Sequence, residues 1–498
     1  MKKSEKRLFS LSLAAAMLFA LPTSANAMHI MEGYLPMGHA VVWGVLCLPF
    51  LVAGFLSIKK TITQNRKVLL VLAMGWIFES FLQGITGFGV PVAVGAPLLI
   101  GIGVAPMYAI VIPLLGQAWG NTFGTLGAAW DSLTVSAGVQ AGSLEYYRAA
   151  FWAAVFLLVW DFVTGIIICW LYGKGKAVKK GLPAVLVMTI IGGGGELVLS
   201  QVNTTLSNFV PAVICLVVLM LMGRMKMYRD EWRIEDSKIM VRTESTGETL
   251  DAPKDMTLVQ AFVPYVLLSL MTIIVLTVAP INAFLSKVQL SISVPETSTG
   301  YGFVNAASDA FSPIVPFTHA SMFLFLSAVI GLAYYKKHGW IQAGGTKAIF
   351  GRSITMTMPS GMAVIGLVIM SKIMSGTGQT VVLSQGIAGV LGNKYLILAP
   401  FIGLLGTFMT GSNMSSNILF GDFQMTTSSL LGVNAPAVLG AQTAGGAIGA
   451  AVSPSKIILG TTTAGCLGKE GEVLKIMLTF TIPATIAIGL FLFLVFGL

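Results

Sequence analysis

The sequence predicts an all-α polytopic membrane protein of about ten to twelve spans, in two pseudo-symmetric halves with discontinuous, glycine-broken helices. Composition is the first ground: 55% of the 498 residues are hydrophobic and only 10% are charged, with a mean hydropathy of +0.84, whereas soluble domains carry roughly 25% charged residues. The second is that the apolar residues come in runs. Segments 149–172, 257–280, 318–335 and 474–498 each approach or exceed the roughly 20 residues that a helix needs to cross a bilayer. The third is a set of Gly- and Pro-rich interruptions inside regions too apolar to be aqueous loops.

Charge placement predicts the topology. The formal net charge is +10, but the basic residues stand in short links between apolar runs. No basic domain or base-stacking motif accompanies them, which excludes a nucleic-acid partner. Basic links lie on the cytoplasmic side, which puts 59–67, 173–182, 224–256 and 336–353 inside and 201–206 and 281–317 outside. The four cysteines, Cys47, Cys169, Cys215 and Cys466, have no paired spacing and read as packing residues.

Residues 1–27 read as a signal peptide: Lys2, Lys3, Lys6 and Arg7, an apolar core from Leu8 to Leu21, then Ala25-Asn26-Ala27 as a cleavage site. Cleavage would leave Met28 as the new N-terminus; an uncleaved anchor is the alternative. Residues 28–74 form a separate N-terminal segment, and 75–498 form the main membrane domain, divided by the mixed-charge stretch 224–256. That stretch reads as a solvated cytoplasmic connector.

The interruptions match across the connector. Segments 83–97 and 116–127 precede it, and 410–417 and 441–455 follow it, all rich in Gly, Ser, Thr, Asn and Pro. Broken hydrophobic segments at corresponding places in two halves point to a transporter with a midplane site. Glycine alone also serves close helix packing; glycine together with Asn and Ser favours a site. Half-helix N-termini there would suit a carboxylate. The candidate substrate-binding residues are Asn121 and Thr122 in one half and Ser412, Asn413, Ser415, Ser416 and Asn417 in the other. Lys456 is either the cation of the site or a lysine snorkelling to the interface.

An ionisable residue within a span is a functional candidate by default. Asp161, mid-span between Trp160 and Phe162, and Glu79, one turn before Gln83, are the candidates for proton coupling. Glu196 and Asp422 share the chemistry in less telling positions. No catalytic, metalloprotease, Walker or dinucleotide fingerprint is present, so an enzyme and an ATP-driven pump are disfavoured.

From about Trp76 to Leu498 the chain resembles the L-lactate permeases. The blocks that carry the resemblance are ESFLQGITGFGVPVAVGAPLLIGIGV (79–104), GSNMSSNILFGDFQMTTSSLLGVNAP (411–436) and AGGAIGAAVSPSKIILGTTTAGCLGKEGEVLK (444–475). The resemblance implies proton-coupled uptake of lactate and related 2-hydroxy monocarboxylates such as glycolate across the bacterial inner membrane. Its energy source would be the proton gradient, with no bound cofactor. Two departures stand out: family members often carry an acidic residue where Gln83 stands, and a lysine near Ala450 rather than at Lys456. Residues 28–74, above all MHIMEGYLPMGHAVVWGVLCLPFLVAGF (28–55), resemble instead the membrane substrate-binding subunit of cobalt and nickel energy-coupling-factor transporters. This second resemblance implies Co²⁺ or Ni²⁺ held by Met28 and His29, in place of the spans that lactate permeases carry before their glycine-rich block.

Overall fold

A computed structural model describes residues 67–85, 87, 89–229, 237, 239, 240, 260, 263–300, 304–318, 320–341 and 344–498. The signal-like leader, most of the N-terminal segment, Met28 and His29 lie outside these residues. The described chain is mostly helical and falls into two units, one holding 60–247 and 380–498 and the other 248–379.

In the first unit, α1 (Lys67–Leu72) runs through a π-helical turn, Ala73–Ile77, into α2 (Phe78–Ile85). Then come α3 (Val90–Gly101), α4 (Pro106–Gly116) and α5 (Ala128–Ser136), with short 3-10 turns at Trp119–Asn121 and Thr125–Gly127. The long α6 (Leu144–Ser200) is followed by α7 (Phe209–Met222) and the single turn α8 (Lys226–Arg229). The second unit contributes α9 (Val263–Thr277), α10 (Ala279–Leu285), α11 (Ala320–Lys337) and α12 (Gly345–Gly376). The first unit resumes with α13 (Gln379–Leu391), α14 (Tyr395–Thr410), α15 (Asn413–Leu431), α16 (Ala435–Gly449), α17 (Pro454–Thr463) and α18 (Glu470–Phe496). Four helical stretches among the described residues are long and apolar enough to cross a membrane: 144–200, 379–410, 435–463 and 470–496.

α6 is a hairpin rather than one rod. Gly173 and Lys174 leave helical geometry, Lys174 at φ 55°. Beyond them the chain folds back, so that Gly181 lies against Cys169, Gly165 against Val185 and Gly193 against Leu158. The basic link expected over 173–182 is therefore a two-residue turn. Lysines are good helix formers, so the rest of the link stays helical.

Small residues set the distance between α14 and α16. A Cβ on Gly445 would overlap the Pro400 carbonyl oxygen, and one on Gly449 would crowd Leu404. With backbones this close, van der Waals contact replaces the hydrophobic effect that lipid cannot supply. Every residue from Ala437 to Gly449 is buried.

Two expectations need correction. The fold is not purely α: in the second unit, β1 (Leu290–Val294) pairs antiparallel with β4 (Ser308–Ile314), and β2 (Thr297–Ser298) with β3 (Val304–Asn305). Alternating β-branched or apolar residues and serines, as in LSISV, favour strand over helix there. The link 201–206 packs on the helices, with Thr204 and Leu206 buried and the Tyr146 hydroxyl sharing a 2.7 Å hydrogen bond with Thr204. The described parts of the connector also pack. Ile239 is 1% exposed and its carbonyl accepts from Ala105 N at 2.7 Å, while the Ser237 hydroxyl donates to Tyr172 O at 2.6 Å.

Candidate substrate site

All four Gly- and Pro-rich segments contain a helix break. The first lies between α2 and α3, where Gly89 takes φ 89°. The second spans 117–127, where Thr125 and Leu126 adopt φ of 52° and 56°, conformations that non-glycine residues keep only when their surroundings impose them. The third is Gly411-Ser412, between α14 and α15. The fourth is 450–453, between α16 and α17.

The breaks line a small cavity, whose walls include Gln83, Asn121, Thr125, Ser412, Asn413 and Lys456. Three helices begin at its wall: Ala128 and Ala129 open α5, Asn413 and Met414 open α15, and Lys456 lies in the first turn of α17. A helix start presents amides without intrahelical partners. In α15 the Ser412 hydroxyl accepts from Ser415 N at 3.4 Å and the Ser412 carbonyl from Ser416 N at 3.0 Å. The amides of Asn413 and Met414 have no such partner and stay at the cavity wall. Each helix start adds partial positive charge.

Lys456 is 5% exposed, and no carboxylate of the described residues pairs with it. It is therefore not a lysine reaching an aqueous interface. An unpaired buried cation beside three helix N-termini is an arrangement for an anion.

Behind the cavity, side chains distant in sequence form one network. The Thr122 hydroxyl meets Thr443 Oγ1 at 3.1 Å, Asn413 Nδ2 donates to the Thr443 carbonyl at 3.2 Å, and Asn417 Nδ2 donates to Thr443 Oγ1 and to Ala129 O, both at 2.9 Å. Ser416 turns away, donating to Gly403 O at 2.9 Å and accepting from Gln442 Nε2 at 3.2 Å. Gln442 continues to Gln424 at 2.8 Å, and Tyr395 donates to Gln424. Of the expected substrate contacts, Asn121, Ser412, Asn413 and Lys456 thus line the cavity. Thr122 and Asn417 brace it from behind. Ser415 contributes its amide to the cap, and Ser416 belongs to the packing of α14 on α16, so neither is at the wall.

Asp161 and Glu79 are fully buried and do not line the cavity. Asp161 Oδ1 accepts from Trp76 Nε1 at 2.8 Å, and Oδ2 has no partner. Both Glu79 oxygens lack partners beside Gly95, whose missing Cβ makes room for the carboxyl. Glu196 accepts from Asn208 Nδ2 at 2.9 Å. Asn208 packs against Gly84 and Gly120, the chain neighbours of the wall residues Gln83 and Asn121. Sequence reasoning missed Gln83 and Thr125 at the wall and Thr443 at the hub. The available signal was Gln442-Thr443, a polar pair in the small-residue run 441–447.

A helical, multi-pass membrane protein whose broken helices enclose a small polar cavity is built as a transporter and not as an enzyme. The chain belongs to the L-lactate permease family, whose model matches residues 24–498. That match includes the front that the sequence reading set apart. The chain is similar to an L-lactate permease of Halalkalibacterium halodurans, at 25% identity over 94% of this chain and 87% of the relative. It is also similar to an L-lactate permease of Escherichia coli K12, at 24% identity over 96% and 89%. The glycolate permease GlcA of the same organism is 26% identical over 86% and 78%. No solved structure matches.

Proposed function

We propose that this protein takes up L-lactate and related 2-hydroxy monocarboxylates such as glycolate across the bacterial cytoplasmic membrane, by proton symport. The observation that carries the reading is Lys456, a buried cation without a counter-charge among the described residues, in a cavity where three helices start. The names of the relatives supply the substrate class. Glu79 and Asp161 are the proposed proton carriers, since each has a fully buried carboxyl with at least one unpartnered oxygen. The four breaks read as two pairs, the one at Gly89 with 117–127 and 411–412 with 450–453, one pair in each of two related halves that alternate access around the cavity. Labelled L-lactate entering vesicles that contain the protein should accumulate when the outside is acidic and only equilibrate when it is not. Uptake that is absent, or indifferent to the gradient, would remove the proposal.

A second reading takes residues 28–55, which the family match also covers, as the start of a cobalt or nickel transporter subunit. After cleavage, the Met28 amine and the His29 imidazole would bind Co²⁺ or Ni²⁺, ions that favour nitrogen donors. Calorimetry on the processed protein would then show binding that His29→Ala removes; equal heats from both proteins would end this reading.

A further inference from the structure

Three residues of the cavity wall carry buried side-chain atoms without a partner: Asn413 Oδ1, which lies against Gly446 of α16, and Gln83 Oε1 and Asn121 Nδ2, which a bound carboxylate alone does not account for. Gln83 on α2 is 2% exposed and Asn121 in the turn after α4 is 7% exposed, and both line the cavity. Gln83 Oε1 accepts no hydrogen bond and Asn121 Nδ2 donates none. Buried amide groups are nearly always paired, and leaving one unpaired is costly. In a binding cavity, such atoms mark where a ligand completes the bonding.

The chemistry of the pair narrows the ligand. One lone acceptor and one lone donor complement a hydroxyl, which both donates and accepts. A carboxylate or a keto oxygen only accepts, so it could use Asn121 but would leave Gln83 unpaired. A methylene satisfies neither.

We infer that Gln83 and Asn121 read the 2-hydroxyl of the substrate, Gln83 Oε1 accepting its proton and Asn121 Nδ2 donating to its oxygen. The inference rests on the carboxylate reading above, in which Lys456 and the α15 amides hold the charge. The cavity then separates recognition of the acid, which any monocarboxylate meets, from recognition of the neighbouring substituent, which only a 2-hydroxy acid meets. A site built to hydrogen-bond a hydroxyl rejects the analogue that lacks it, because its own polar groups are left unsatisfied.

The test is competition against labelled L-lactate uptake in proteoliposomes of the full-length protein, with glycolate, propionate and pyruvate as competitors. Glycolate should compete about as well as unlabelled lactate. Propionate and pyruvate should be roughly tenfold to a hundredfold weaker. In Gln83→Met, which keeps the length of the side chain, lactate should weaken toward propionate while propionate itself is unchanged, and Asn121→Ala should narrow the same ratio independently. Equal competition by propionate and lactate in the unaltered protein overturns the inference. So does a loss of both acids in parallel in the variants, the mark of a merely structural role. No lactate uptake by the unaltered protein would overturn the transport reading itself, whereas uptake without discrimination overturns only the hydroxyl assignment.

Discussion

Replacing Lys456 with methionine is expected to lower lactate uptake by about 10- to 100-fold while leaving the amount of protein in the membrane unchanged. Hydrogen bonds to charged groups contribute roughly 1.5–3 kcal/mol, and each 1.4 kcal/mol is about tenfold in affinity. Methionine keeps most of the stem, and Lys456 has no ion pair among the described residues to lose. Relieving an uncompensated buried charge should, if anything, raise thermal stability. The measurement is initial uptake rate against lactate concentration, alongside a melting curve in detergent. Unchanged uptake in Lys456→Met would mean that the anion is held elsewhere, and the proposed site would fall with it.

The second large effect concerns coupling. One unit of pH gradient is worth about 1.4 kcal/mol per proton, so one-to-one symport accumulates lactate about tenfold, and a variant that carries no proton only equilibrates it. Glu79→Gln and Asp161→Asn preserve shape, and an asparagine at 161 can still accept from Trp76 Nε1, which lies 2.8 Å from Asp161 Oδ1. At least one of the two should abolish accumulation yet retain exchange of labelled for unlabelled lactate, since exchange needs no net proton movement. Full accumulation in both variants would show that the proton travels by another route.

Much of this site could be read from local sequence, and the reasons are local as well. Gly411 takes the left-handed conformation that ends α14, and Ser412 caps α15 in the next position; both are matters of residue type. Pro454 at the start of α17 placed Lys456 in a first turn. What escaped is what depends on distant partners. Ser416 looked equivalent to Asn417, but helical rotation carries it toward Gly403 and away from Thr443. Thr443 becomes a hub only because Thr122, 321 positions away, comes to meet it. The lysine-rich stretch around 173–182 read as a loop by charge, although a turn of two residues suffices.

The hairpin closed at Gly173-Lys174 bears on how the molecule is made. Its arms meet through neighbours in sequence, so closing it costs little chain entropy, and contacts of that kind form fast. A paired insertion unit is thus complete while the ribosome still has Asn413 and Lys456 to add. The walls of the cavity, joined across the 291 positions between Thr122 and Asn413, are assembled at the end of biogenesis, and a truncated chain keeps its membrane anchor while lacking any means of holding cargo.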